Sequence, residues 1–531
     1  TLAPALCAYH GQEFEKRAAG CKGPIPPGCW SHHEERSRIL TVIVPNIPGL
    51  YRPYTHANCV CNQMLAVANR VLGAVPLPTL NGLRRLKLTA KTFFRWIPAT
   101  EPWNVSQVVA SFTDHRRKIY ERARLSLMDR EFCKADGRIN AFVKAELYNP
   151  KDKVNPDPRV IQARSVRYNL LLAQYLRPLE HKILKQRSER GLRIFAKGRN
   201  SFERASDIRD KFKCFGNTTC LSIDASRFDK HVSREVLEIE HSVYKRAYPD
   251  DRVLQRLLDY QLSNVCVTRD GVRYLAHGRR MSGDMNTGLG NCVVMVLMVK
   301  SIMDRLGIPY EIYDDGDDCL LFFATEHRDR VSKALVSEFL EFGQEIKVEN
   351  TANNPTEVVF CQSKMIKTMS GWRMTRNWRK VLSQGTSGTK HWNNLKLIRP
   401  MMTAVGSCEL ALNGGVPIIQ AYALALRRIG RMEKPKVLDV RAGLALRVKY
   451  ELRVAPERVE ELAYRAHALP VTAEARLTFE EAWGTPVWEQ IAIEEQLSRW
   501  EPDLSSYQSG SNDVDSKWRN TSDVNNFIDD L

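Results

Sequence analysis

Four carboxylates stand within five residues at Asp314-Asp315-Gly316-Asp317-Asp318, bracketed by Glu311-Ile312-Tyr313 before and Cys319-Leu320-Leu321-Phe322-Phe323 after. Apolar and β-prone residues on both sides of a Gly-containing acidic turn predict a hairpin that aims carboxylates outward from its tip. Like charges at that density repel one another strongly unless cations neutralise them. A merely solvated acidic loop would not usually adjoin Leu-Leu-Phe-Phe, so the segment implies a metal site at a tight turn between buried strands.

Two other segments share this style. Leu221-Ser222-Ile223-Asp224 reads as a short strand that delivers Asp224 at its end, with Asp229 five residues on. Ser233 then caps a helix whose apolar positions Val236, Ile239, Val243 and Ala247 recur at helical spacing. Taken by itself this segment also reads as a turn Asp and a surface Asp. Ser282-Gly283-Asp284-Met285-Asn286-Thr287-Gly288-Leu289-Gly290-Asn291 reads as a small-residue loop that brings backbone close to a ligand and offers hydroxyl and amide groups. It runs into Cys292 to Val299, apolar on every side and a few turns long, which predicts a buried helix.

Charge points to a polyanionic partner. The chain of 531 residues carries a formal +18, and because residues 501–531 are net −5, the first 500 carry +23. Basic clusters at Arg84, Arg85, Lys87, Lys91 and Arg95 and at Arg116, Arg117 and Lys118 fit a nucleic-acid channel or, equally, solvated helix faces. The 13 cysteines form no regular framework and suit a reduced, cytosolic protein. Cys7, His10, Cys21, Cys29 and His32 match no zinc spacing and read as incidental, as do Cys59 and Cys61. No apolar run approaches the roughly 20 residues of a membrane span, so any anchor would lie upstream or on a partner. The chain begins at Thr1, not Met, which suggests a processed, recoded or excerpted product. The Ser-, Asn- and Asp-rich end from Ser505 to Leu531 has the composition of a disordered tail.

In order along the chain, Asp224-x4-Asp229, Ser282-Gly283-x3-Thr287-x3-Asn291 and Gly316-Asp317-Asp318 resemble the palm of viral RNA-dependent RNA polymerases. The wording DASRFDKHVS, MSGDMNTGLGNC and GDDC is similar to the tombusvirus and carmovirus type. AFVKAE (141–146) and DPRVIQARSVRYN (157–169) resemble its fingers motif, IKVEN (346–350) a palm segment, FCQSK (360–364) the primer-grip hairpin, and GVPIIQAYALALRR (415–428) and ARLTFEEAWG (475–484) thumb segments.

That resemblance implies an α/β (α+β) right hand: N-terminal region and fingers over 1–213, a palm with an antiparallel sheet over 214–364 carrying a fingers insertion near 245–280, a helical thumb over 365–500, closure by fingertips, and a tail over 501–531. It implies two Mg²⁺ ions, with Mn²⁺ as a substitute, held by Asp224, Asp317 and Asp318; Lys347 as general acid; Lys144 and Arg159 as triphosphate contacts; and Asp229, Ser282, Thr287 and Asn291 around the ribose. The expected partners are RNA template, nascent RNA, NTPs and an upstream viral replication protein that brings the enzyme to membrane-associated complexes in the host cytoplasm. Asp315 departs from the Asn that such relatives usually carry there, which leaves the turn's charge and metal preference open. Two rivals remain: a reverse transcriptase, since Tyr313-Asp314-Asp315 offers Tyr-Asp-Asp, and a non-catalytic RNA-binding protein derived from a polymerase.

Overall fold

The computed structural model describes Phe14–Glu15 and residues 40–504, except 113, 153–155, 390–391, 393 and 434–441. The candidate zinc residues Cys7, His10, Cys21, Cys29 and His32 and the tail from 505 onward lie outside the described residues. In chain order the strands are β1 (Phe14–Glu15), β2 (Thr41–Val42), β3 (Ile139–Val143), β4 (Val160–Ala163), β5 (Thr218–Ala225), β6 (Ser263–Thr268), β7 (Arg273–His277), β8 (Tyr310–Asp314), β9 (Asp318–Ala324), β10 (Ile346–Ala352), β11 (Ser363–Thr368), β12 (Gly371–Arg376) and β13 (Ser387–Gly388).

A four-stranded antiparallel sheet of order β10-β5-β9-β8 holds the acidic hairpin. Its strands are apolar on both faces because both are covered. Leu221, Ile223, Cys319, Leu321 and Phe323 pack in one core with the helices Arg234–Ala247 and Thr287–Leu306. Cys220, Leu320 and Phe322 face another core, built with Ala205, Ile208, Phe360, Met365 and Met374. Strand periodicity of two therefore splits one apolar run between two cores.

A second sheet, of order β1-β7-β6-β3-β4, is antiparallel except for the β3/β6 pair. Its strands β6 and β7 come from the stretch between Asp229 and Ser282, so that stretch leaves the first sheet and builds onto β3 and β4 from the N-terminal half. After β12 the chain is mainly helical. Helices Leu395–Leu412, Ile419–Ile429, Ala473–Trp483 and Val487–Arg499 surround a core that includes Met402, Tyr422, Phe479 and Leu497.

Residues 40–54 link the C-terminal helical core to Tyr148 in the N-terminal half of the chain. β2 pairs with β13, Ile43 and Ile47 are buried in the helical C-terminal core, and Tyr54 pairs with Tyr148.

One local reading needs correcting. The segment taken as a loop through Asn291 is helical from Thr287, and the helix runs to Leu306, longer than a few turns. Gly288 and Gly290 suggested a loop; the structure places both inside the first turns of the helix, where Gly290 makes room for a neighbouring ion pair.

Candidate active site

Strand register assembles the site. Asp224 on β5 lies opposite Asp318 on β9 and opposite Lys347 on β10, so the three side chains stand on one face at one end of the sheet. The hairpin tip supplies Asp317. Gly316 adopts φ +100, a conformation that L side chains rarely take, and the turn closes with the Asp315 amide donating to the Asp318 carbonyl at 2.9 Å. The cavity over this end has a volume of about 810 Å³; Asp224, Asp317 and Lys347 line it, and Asp318 is not among the lining residues.

The four acids of the turn have different surroundings. Asp314 is fully buried, accepts a bond from the Gly316 amide at 3.2 Å, and is pushed well above the usual carboxylate range by burial. Asp315 is clamped between Lys197 at 3.0 Å and Arg204 at 2.6 Å; burial alone would raise its pKa, but these two cations outweigh it and hold the group below the ordinary value. Asp318 is pushed up to about 6, first by burial and then by Asp317 and Asp224. Only Asp317 of the four is exposed.

Among the described residues no three His, Cys, Asp or Glu side chains are gathered into a ready-made metal cage. The donor set nonetheless fits a hard divalent cation: Asp224, Asp317 and Asp318 offer oxygen ligands only, and the repulsion that lifts Asp318 is what a bound cation would relieve.

Beside the acidic turn, the same cavity holds the polar groups expected around a sugar. Asn291 Nδ2 donates to Asp229 Oδ1 at 2.9 Å, joining the helix Thr287–Leu306 to the turn after β5. Burial raises the Asp229 carboxyl, while the Asn291 bond and Arg280 partly offset it. Ser282 and Thr287 also line the cavity, although their hydroxyls are already used: Ser282 accepts from the Gln162 amide at 3.2 Å and donates to Val160 O at 3.2 Å, and Thr287 donates to Met281 O at 2.7 Å. Both therefore brace the wall. Asp284, the third letter of Ser-Gly-Asp, points away to a buried ion pair with Arg164 at 2.7 Å.

Lys144 and Arg159 line the same cavity, but both reach one carboxylate, Glu146, at 3.2 and 3.1 Å. An anionic ligand would have to compete with Glu146 for them. Sequence reasoning missed other cations on this wall. Arg70, Arg227, Lys230 and Arg279 line the cavity; Arg227 holds Asp157 at 2.6 Å from a left-handed backbone (φ 52), and Lys230 is lowered to about 8 by burial and by Arg227 and Arg279. Arg227, Lys230 and Arg279 adjoin Asp224, Asp229 and Ser282 in sequence, and that adjacency is the local signal for them. Lys197 and Arg204 carried no such signal.

A family model described as viral RNA dependent RNA polymerase matches residues 54–505. The chain is 33% identical over 454 residues to an RNA-directed RNA polymerase of Groundnut rosette virus (83% of this chain, 52% of the relative) and 35% identical over 407 residues to one of Turnip crinkle virus (74% and 50%). It is 31% identical over 475 residues to one of Cymbidium ringspot virus (87% and 56%). The chain thus spans about half the length of these curated relatives.

Proposed function

Because the chain belongs to the viral RNA-dependent RNA polymerase family, we propose that it extends an RNA 3′ end by nucleotidyl transfer from NTPs, copying the genome of a positive-strand RNA virus. The observation that carries this reading is the meeting, in one cavity, of Asp224, Asp317 and Lys347 with the Asp229–Asn291 pair, Asp318 standing in register with Asp224 at its edge.

Asp224, Asp317 and Asp318 would hold two divalent cations, Mg²⁺ or Mn²⁺. When bound, these neutralise phosphate charge and acidify an attacking hydroxyl. The chain's own residues do the rest. Lys144 and Arg159, released from Glu146, orient the triphosphate; Lys347, level with Asp224, is placed to give a proton to the departing pyrophosphate; Asp229 and Asn291 meet the ribose 2′-hydroxyl. Base pairing with the template supplies sequence, so the protein need read only backbone and sugar.

The right-hand reading follows the same plan: fingers to residue 213, palm over 214–364, thumb over 365–500. The addition of β6 and β7 to the β3–β4 sheet supports the fingers insertion near 245–280, and residues 40–54 would close fingers onto thumb. Among the described residues no helix is long and apolar enough to cross a membrane. From the family resemblance we assign targeting to membrane-associated complexes in the host cytoplasm to an upstream viral replication protein.

The reverse-transcriptase reading loses its motif. Tyr313 is fully buried with its hydroxyl on Asp207 at 2.7 Å, and Asp314 is buried beside it, so neither faces the cavity. Incorporation of labelled NTPs on an RNA template, with and without Mg²⁺, tests the function. Asp317→Ala and Asp224→Ala should each abolish incorporation and leave RNA affinity unchanged or slightly higher. Wild-type turnover in either folded variant would defeat the assignment, and a Mg²⁺-dependent preference for dNTPs would favour the rival.

A further inference from the structure

Behind the Asp229–Asn291 pair lies a buried chain of polar groups that the proposed chemistry does not use. Arg280 Nε donates to Asn291 Oδ1 at 2.8 Å, and its guanidinium pairs with Glu240, both residues being almost wholly removed from solvent. Glu240, on the helix Arg234–Ala247, also accepts from Tyr244 Oη at 2.6 Å and from Asn286 Nδ2 at 2.9 Å. Gly290 lets this pair sit against the helix bearing Asn291: a Cβ there would lie 2.3 Å from Glu240 Oε1 and 2.7 Å from Arg280 Nη2.

A primary amide can face a partner with either its oxygen or its nitrogen. A guanidinium can only donate, so the Asn291 atom that meets Arg280 must be the carbonyl oxygen. The NH₂ is then turned toward Asp229, and the Asp229 carboxylate, an acceptor on both oxygens, is held where a hydroxyl can donate to it. Without Arg280 the amide keeps only its bond to Asp229, so its oxygen loses its anchor and the side chain can turn away from the position in which the pair meets a hydroxyl.

We infer that Arg280 and Glu240 are positioning residues for sugar selection: Glu240 orients Arg280, Arg280 anchors the Asn291 amide by its oxygen, and the amide so held makes the Asp229–Asn291 pair a receptor for a 2′-hydroxyl. The inference rests on the polymerase reading and on Asn291 meeting the sugar. Its chemistry predicts that the buried pair affects choice between ribo- and deoxyribonucleotides through Asn291, although Arg280 also borders the cavity.

The test compares kcat/KM for matched NTP and dNTP on one RNA template–primer. Removing one charge leaves the other buried and unpaired, so Arg280→Met alone can fail to fold; Arg280→Met combined with Glu240→Gln removes both charges and conserves volume. Thermal melting and RNA affinity report folding. In the folded double variant the NTP-over-dNTP ratio should fall at least tenfold, through lower kcat/KM for NTP with dNTP use nearly unchanged. Arg280→Lys, which can still donate to Asn291, should recover part of the ratio. Asn291→Ala should lower it similarly, and adding it to the double variant should lower it no further. A ratio within twofold of wild type in the folded double variant, with Asn291→Ala still lowering it, would overturn the positioning role and leave the sugar pocket standing. An unchanged ratio in active Asn291→Ala would remove the sugar pocket and the inference with it.

Discussion

Lys347 is the residue whose role depends most on its neighbours across the sheet. It is exposed, in register with Asp224 and part of the cavity lining, which is where the proposed transfer would need a proton donor. Lys347→Leu should therefore cut kcat about a hundredfold with little change in the apparent KM for NTP, the pattern of an interaction made mainly in the transition state. A fall in affinity alone, measured by single-turnover kinetics over an NTP series, would make it a ground-state contact. Asp318 leads to a second expectation. Its folded value of about 6 exceeds the ordinary 3.8, so its contribution to stability is full below the ordinary value and is lost as pH rises through 6. Mg²⁺ acts on the ionised form. It should raise the Tm clearly near pH 8 and far less near pH 5, and Asp318→Asn should shrink the difference; equal rises at both pH values would count against Asp318 as part of the metal site. Asp315 belongs to another class of carboxylate. Held by Lys197 and Arg204, it tethers the turn, so the departure noted in the sequence has a structural partner set.

At the scale of elements, the helix Thr287–Leu306 joins the core to the cavity wall that carries Asn291. It presents Leu289, Val293, Val296 and Met303 to the main core and Asn291 to the cavity. Gly→Ala within a helix ordinarily gains up to about 1 kcal/mol. At Gly290 the sign should reverse, because the added methyl would collide with the buried Glu240–Arg280 pair. Gly290→Ala should cost about 1–3 kcal/mol in urea unfolding, as overpacking does. Gly288→Ala is the control: its Cβ would meet only the flexible end of Lys197, at 3.3 Å, so it should be nearly neutral or stabilising.

For the whole molecule, the segment 40–54 should matter more than its short strand suggests. Ile43 and Ile47 enter the C-terminal helical core, Thr386 Oγ1 donates to Ile43 O, and Gln384 Nε2 donates to Tyr51 Oη at 2.9 Å before Tyr54 reaches Tyr148. Ile43→Ala removes a fully buried side chain and should cost about 2–5 kcal/mol. If the segment closes the right hand, the variant should also release RNA sooner, seen as shorter products at a single binding event. Unaltered product length with the stability loss would confine the segment to structural support.

Much of the site was legible in the chain itself. The acidic hairpin, the Ser233 cap and the buried helix after Asn291 follow from alternation, turn chemistry and helical spacing, all of which act between residues near in sequence. The candidate ligands Asp224, Asp317 and Asp318 and the candidate general acid Lys347 could likewise be named, from the resemblance of their motifs. What the tertiary structure decided was which charges are free to act. Lys144 and Arg159 share Glu146, Asp315 is held by Lys197 and Arg204 from more than a hundred residues away, Ser282 and Thr287 spend their hydroxyls on backbone, and Arg280 reaches Glu240 behind Asn291. An ion pair or a buried hydrogen bond depends on distances of a few ångströms between segments remote in sequence, and no local pattern of residues encodes that distance; only the packed chain does.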